Sequence, residues 1–241
     1  MSTKREELKI SDFKIEVVRK DIKNMHLAVY PPNGRIRLAA PLSTDSEVVR
    51  LFAISKISWL KKNVKRIKEQ PREISREYVS NESIYFFGKR YLLKVIEKPG
   101  NSKVELSHKY IVLKISPNST TWDKEKVIKE WYRKKLKEKI PELLEKWEKQ
   151  IGVKAKVWGI RQMKTKWGSC NPDTERILIN LELAKKPPIC LDYIIVHELI
   201  HLIERNHTKK FIELMTKHMP KWRLHREELN SLPVGDSSWE Y

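Results

Sequence analysis

The run Ile194-Ile195-Val196-His197-Glu198-Leu199-Ile200-His201-Leu202-Ile203 constrains this chain more than any other stretch. A helix that is apolar nearly all round has to be buried. This one would carry two imidazoles and a carboxylate inside with it, which is costly unless they have a partner. His197 and His201 are four residues apart, so on a helix they share a face, about 40° apart in projection. Two imidazoles stacked in that way can grip one cation. Glu198 follows the first ligand directly, placing its carboxylate beside the metal but off the ligand axis, where a base for a water molecule is needed. This is the HExxH arrangement. It also arises by chance on polar helix surfaces, but the apolar neighbours argue against that origin here.

His207 extends the pattern. On a straight helix it would lie about 15 Å beyond His197 and far round the cylinder. It reaches the same ion only if the helix stops after His201 and the chain turns back. Glu204-Arg205-Asn206 ends the apolar run, and Asn206 is suited to the left-handed conformation that closes a helix. Thr208 can cap a following helix, Lys209 to Met219, with Pro220 at its end. Three neutral imidazoles and a water would make one open tetrahedral zinc site. The rivals for the third position are Glu213, His218, His225, Glu227 and Glu228.

The rest of the composition sets the background. The chain has 241 residues, enough for one large domain or two small ones. No apolar run approaches the roughly 18–20 residues of a membrane span. Met1 to Glu7 lacks the apolar segment of a secretion signal, and Cys170 and Cys190 alone do not make a disulfide framework. The expectation is a cytoplasmic, reduced protein. Fifty Lys and Arg against 31 Asp and Glu give a net charge of +19, which favours polyanions, including nucleic acid. Mixed runs such as Glu145-Lys146-Trp147-Glu148-Lys149 are the plainer alternative: a solvated helix face.

In chain order, residues 1–10 are polar and expected to fray. Phe13 to Val18 and Asn24 to Tyr30 alternate as strands, and Pro31-Pro32-Asn33-Gly34 turns into a partner strand, Arg35 to Ala39. A helix capped by Ser43 or Thr44 should run to about Lys68. After a loop around Pro71, short strands cover 83–87, 89–96, 104–106 and 110–115. From Thr121 the period becomes helical up to Ile151-Gly152, with Pro141 expected to kink that stretch or start a second helix. Trp131 and Trp147 read as core anchors. Lys154 to Ile160 and Arg176 to Asn180 read as strands, and Pro187-Pro188 starts the metal helix. No internal repeat is evident.

Trp167-Gly168-Ser169-Cys170, Ile177 to Asn180, His197-Glu198-Leu199-Ile200-His201 and Asn206-His207-Thr208-Lys209-Lys210-Phe211 together resemble the YgjP-like metallopeptidase family, a zincin-type group related to the SprT-like proteins. The likeness extends to Arg35–Pro41, Trp59 and the Phe87-Gly88 strand pair, and so covers roughly 13 to 232. It implies zinc held by His197, His201 and His207, with Glu198 catalytic. The spacing is also that of metzincins, but Glu204 stands where they carry glycine. The fold expected is α+β. A β-rich amino-terminal platform with one crossing helix would fill 1–120. A zincin-like minimal metalloprotease domain, with its HExxH helix on a small sheet, would fill 121–232. A polar tail would follow, 233–241.

The function expected is a metallopeptidase acting on peptide or protein through one zinc ion, with no membrane association. Glu198 would accept a proton from a zinc-activated water and pass it to the leaving amine. An extended substrate could add along Arg176–Asn180, and Tyr193 and His218 are candidates for the second oxyanion donor. Arg161, Lys164, Lys166, Trp167 and Asn180 are candidate substrate or anion contacts. Through Arg161, Lys164 and Lys166 the same site would suit a nucleotide phosphoanhydride hydrolase or a DNA-associated protein, although solvated cations at a strand end explain those three as well. A binding protein with a purely structural zinc is the third reading. Cys170 is either a thiolate shielding the ion or a buried structural thiol.

Overall fold

The computed structural model describes residues 5–30, 33–69, 76–163 and 166–231. The expectations placed on Pro31-Pro32, Pro71, Lys164 and the tail 233–241 lie outside these residues. The chain is α+β and divides near residue 73 into two compact units.

The first unit holds β1 (Arg5–Ile10), β2 (Phe13–Lys20), β3 (His26–Tyr30) and β4 (Arg35–Pro41), followed by α1 (Ser46–Ser55) and α2 (Ile57–Glu69). The sheet order is β1-β2-β4-β3, antiparallel at both margins and parallel in the middle. Ile15, Val17, Ile36, Leu38 and Ala40 point to one face and bury against Val49, Ala53 and Leu60 of the helices. Of the residues expected to fray, 1–4 lie outside those described, while Arg5 to Ile10 do not fray but form a hairpin with β2 around Ser11 and Asp12. Ile10 supplies the reason, since it is itself part of the core. The single helix expected up to Lys68 is two, parted at Lys56. Asp45 caps the first, accepting from the Glu47 N–H at 2.7 Å. The Thr44 carbonyl is engaged by the Arg19 guanidinium, which also donates to Ser46 Oγ at 2.9 Å.

The second unit opens with β5 (Ser83–Phe86), β6 (Lys89–Glu97), β7 (Lys103–Leu106) and β8 (Tyr110–Ile115). Their order, β5-β6-β8-β7, and their strand directions repeat those of the first sheet. The chain thus uses one four-strand topology twice, each time followed by helix. The repeat lies in the order and direction of the strands, while no repeat is evident in the residues themselves.

α3 (Thr121–Ile151) follows, opened by a reciprocal capping box between Thr120 and Asp123. It runs through Pro141 as one element, not two. Pro141 and Lys137 both lie on the exposed face, so the carbonyl that loses its helical donor can bond to water. The same wet face carries Lys–Glu pairs three or four apart, among them Glu125–Lys129 and Lys139–Glu142. The opposite face buries Ile128, Trp131, Leu136, Ile140 and Trp147.

A small second sheet comprises β9 (Val157–Arg161), β10 (Gly168–Asn171) and β11 (Arg176–Asn180), in the order β10-β11-β9. A 3-10 turn, Leu181–Lys185, leads to α4 (Pro188–Ile200), α5 (Lys209–His218) and α6 (Trp222–Ser231). Ile84, Leu93, Ile111 and Leu113 of the β5–β8 sheet share one core with Leu136, Ile177, Ile195 and Leu199. The compact unit therefore begins near residue 73 rather than at 121, because those strands and α3 bury the same apolar surface.

The turn between β5 and β6 also anchors α4. The Phe87 N–H donates to the Ala184 carbonyl at 2.8 Å and the Gly88 N–H to that of Lys185 at 3.2 Å. Gly88 has φ +78°, and a Cβ there would sit 2.9 Å from Pro187 Cα, so only glycine fits against the start of the helix. Among the described residues no helix is long and apolar enough to cross a membrane.

Candidate metal centre

α4 starts where Pro187 and Pro188 set it, and most of its length is buried. Ile195, Val196, Leu199 and Ile200 have no exposed surface. His197 and His201 leave one face of its last turn. The helix ends at His201 with its backbone still right-handed, and the N–H groups of Leu202, Ile203 and Glu204 fold back onto the carbonyls of Leu199 and Ile200. The expected left-handed closure at Asn206 is absent, since that residue keeps a negative φ. The reversal is held instead by the Asn206 N–H on Glu204 Oε1 at 3.3 Å and the Thr208 N–H on the Asn206 carbonyl at 2.8 Å. Thr208 caps α5 as expected, with its side chain accepting from Phe211 N–H.

The turn brings His207 back over the helix. The Nε2 atoms of His201 and His207 lie 3.2 and 3.1 Å from Nε2 of His197. Ligand nitrogens about 2.0–2.1 Å from a tetrahedral zinc would be roughly 3.3–3.4 Å apart. The three imidazoles therefore fit a single small cation, and among the described residues they are the one such convergent group. Glu213, His218, His225, Glu227 and Glu228 take no part in it. His201 Nδ1 lies 3.0 Å from the Glu204 carbonyl, a contact that needs Nδ1–H as donor and leaves the Nε2 lone pair for the ion. His197 Nδ1 is buried with no partner, so this ring is held from its Nε2 side and by packing. Burial drives its pKa down to about 3, with the charges of His201, His207 and Arg226 adding to the effect. Burial also lowers His201 and His207. All three rings are neutral near pH 7, the form that binds metal.

Phe211 is a site residue that the sequence reading left without a role. Its ring lies 5.0, 4.7 and 4.7 Å from the rings of His197, His201 and His207 and forms an apolar floor beneath all three. The available signal was a large apolar residue four positions after the third histidine, at the start of a new helix. Tyr193, one turn before His197, meets that ring edge-on at 5.8 Å.

Glu198 is 4% exposed. Burial raises its carboxyl pKa to about 8, while the charge of Lys166 pulls the other way. The metal-free protein should show this as a pH dependence. The folded value exceeds the ordinary 4.5, so the folded state retains a proton that the unfolded chain has lost. Stability from this group is full below about pH 4.5 and is lost as pH rises through about 8. In chelator-treated protein, urea melts of Glu198→Gln against wild type should therefore show a difference favouring the variant, growing from pH 5 to pH 8.5 by a few kcal/mol at most (~1.4 kcal/mol per pKa unit). An unchanged difference would mean that Glu198 is solvated.

The remaining candidates separate. Lys166 is exposed at the end of the loop before β10, and its charge acts on both Glu198 and His201. Arg161 is exposed at the end of β9. Trp167 is half-buried against the core, with the Lys186 ammonium over its ring at 5.7 Å. Asn180 is fully committed within the fold. Its Nδ2 donates to the carbonyls of Met163 and Lys166 at 2.8 and 2.7 Å, and its Oδ1 accepts from the N–H groups of Met163 and Glu182, each at 3.2 Å. Two donors and two acceptor sites are thus used, leaving none for a substrate. Cys170 stands outside the convergent group, and in the metal-free chain burial and the nearby Glu198 push its thiol pKa up to about 11. Substrate cannot add along Arg176–Asn180, because β11 is the middle strand and already pairs on both sides. β10 is the edge strand next to Glu198.

A family model described as the YgjP-like metallopeptidase domain matches residues 23–232. No curated protein matches the chain. Among solved structures, the chain is similar to the metallopeptidase zymogen abylysin of Pyrococcus abyssi, with 21% identity and a TM-score of 0.35, over 37% of this chain and 90% of that one. With the model spanning most of its length and three converging histidines beside a buried glutamate, the chain belongs to the YgjP-like metallopeptidase family.

Proposed function

We propose that this protein is a zinc-dependent peptidase in which His197, His201 and His207 hold the ion and Glu198 is the general base. The observation that carries this reading is the meeting of three neutral imidazole Nε2 atoms beside a carboxylate that burial holds near neutrality. When bound, zinc supplies Lewis acidity, polarising a carbonyl and acidifying a water. Glu198 takes the proton on its carboxylate and returns it to the departing amine. Its raised pKa suits both transfers near neutral pH, although a cation at the histidines would draw it lower. Phe211 keeps water away from beneath the rings. An extended peptide has the open edge of β10 to pair with, within reach of Glu198 through Gly168.

The test is metal analysis of the purified protein, followed by hydrolysis of an unstructured protein substrate and of nucleoside triphosphates. Each assay is run as purified, after chelation and after zinc is restored. Peptide cleavage lost on chelation and regained with zinc is the expected result. Cleavage of triphosphates alone would overturn the peptidase reading in favour of phosphoanhydride hydrolysis, and a fully loaded but inert protein would favour a structural ion.

A further inference from the structure

Gly168 heads β10 and is buried against α4. Its φ lies outside the left-handed region, unlike that of Gly88, so backbone freedom does not explain why glycine stands here. Space does. A Cβ at this position would lie 2.6 Å from Glu198 Oε1, 2.8 Å from Glu198 Cγ and 2.9 Å from Ile194 Cγ2. All three distances are well inside ordinary contact.

The strand cannot retreat to make room. Gly168 is paired with Ile179 in the antiparallel ladder, and the Trp167 carbonyl accepts from the Asn180 N–H at 2.9 Å. The Asn180 side chain ties Met163 and Lys166 to the same place from the other side. α4 is held as well, with Leu191, Ile195, Val196, Leu199 and Ile200 fully buried in the core. The movable part is the Glu198 side chain.

We infer that Gly168 is a positioning residue for Glu198: the bare backbone at the head of β10 is the wall that fixes where the carboxylate sits. The Trp167-Gly168-Ser169-Cys170 motif thereby gains a role, since Asn180 clamps the strand and Gly168 passes that rigidity to the base. The catalytic half of this inference rests on the function proposed above; the steric half does not. A methyl at 168 pushes the carboxylate off its position by roughly 0.5–1 Å, and displacements of that size cost about 100-fold in rate.

Two measurements test it on the full, metal-loaded chain. The first compares Gly168→Ala with Gly159→Ala, a control on the other edge strand of the same sheet, whose added Cβ meets only the flexible end of Leu178 at 3.2 Å. Gly168→Ala should keep its metal and its KM within about twofold and lose about 100-fold in kcat, while the control stays close to wild type. The second measurement needs no activity. The melting temperature lost on Gly168→Ala should largely disappear in a Glu198→Ala background, where two of the three close contacts are gone. A kcat within about threefold of wild type would overturn the inference, as would an equal melting loss in both backgrounds or a Gly168→Ala chain that fails to fold in both. If wild type hydrolyses nothing, the proposed function fails, while the melting comparison still decides whether Gly168 seats Glu198.

Discussion

Glu198→Gln is expected to leave one metal ion per chain, an intact fold and a kcat lowered about 1000-fold or more. General acid–base groups contribute typically about 10²–10⁴-fold, and here one carboxylate is asked to act in both directions. Glutamine has the same shape and fits the same cavity against Gly168 and Ile194, so neither metal binding nor packing should suffer. It lacks a basic oxygen, so the proton has nowhere to go. The structure sharpens the expectation because, among the described residues, the convergent group is three histidines with no carboxylate that could take over. Steady-state kinetics with metal quantification on the same preparation is the check. A variant retaining more than about a tenth of wild-type kcat would remove Glu198 from the mechanism.

His207→Ala should weaken metal binding at least about 100-fold and abolish hydrolysis at sub-micromolar free zinc. Loss of groups that merely orient a ligand already costs about 10–100-fold, and His207 is placed to bind directly, 3.1 Å from His197 Nε2. The substitution also discriminates between ligand sets. If Glu213, His218, His225, Glu227 or Glu228 completed the site, metal affinity would be unchanged, and competition with a chromophoric chelator would show it. His207 is the most exposed of the three converging histidines and lies beyond the end of α4, so its loss should lower stability little in the metal-free protein. Equal melting temperatures for the chelated wild type and variant would separate a ligand's role from a packing role.

Several elements could be read from residues because their causes are local. Thr208 announces the start of α5 and Pro187-Pro188 that of α4, since caps and prolines act within one turn of chain. Trp131 and Trp147 were legible as core by helical period and are 8% and 6% exposed. Other features failed where a distant partner decided the outcome. Arg5 to Ile10 looked like a polar fringe but is a strand, because β2 lies ready to pair with it. Asn180 looked like a ligand contact, but its amide is consumed by a loop fourteen to seventeen residues earlier in the chain. The strand proposed for substrate pairing proved to be the middle one, and the order of strands in a sheet is not written in any single strand.

Residue order alone carried the candidate metal centre: two imidazoles on one face of a helix too apolar to be exposed, a carboxylate between them, and a chain break that lets a third imidazole return. Those follow from helical period and burial, which any short window of residues expresses. Tertiary packing settled what surrounds those residues. It put the Phe211 ring under three imidazoles, laid a side-chain-free backbone against Glu198, and bound the β5–β8 sheet to the start of α4 through Gly88. The last two are contacts between segments far apart in the chain, and Phe211 meets His197 and His201 only across the reversal after α4; all three are fixed by which surfaces can bury one another, a property of the packed molecule rather than of any stretch within it.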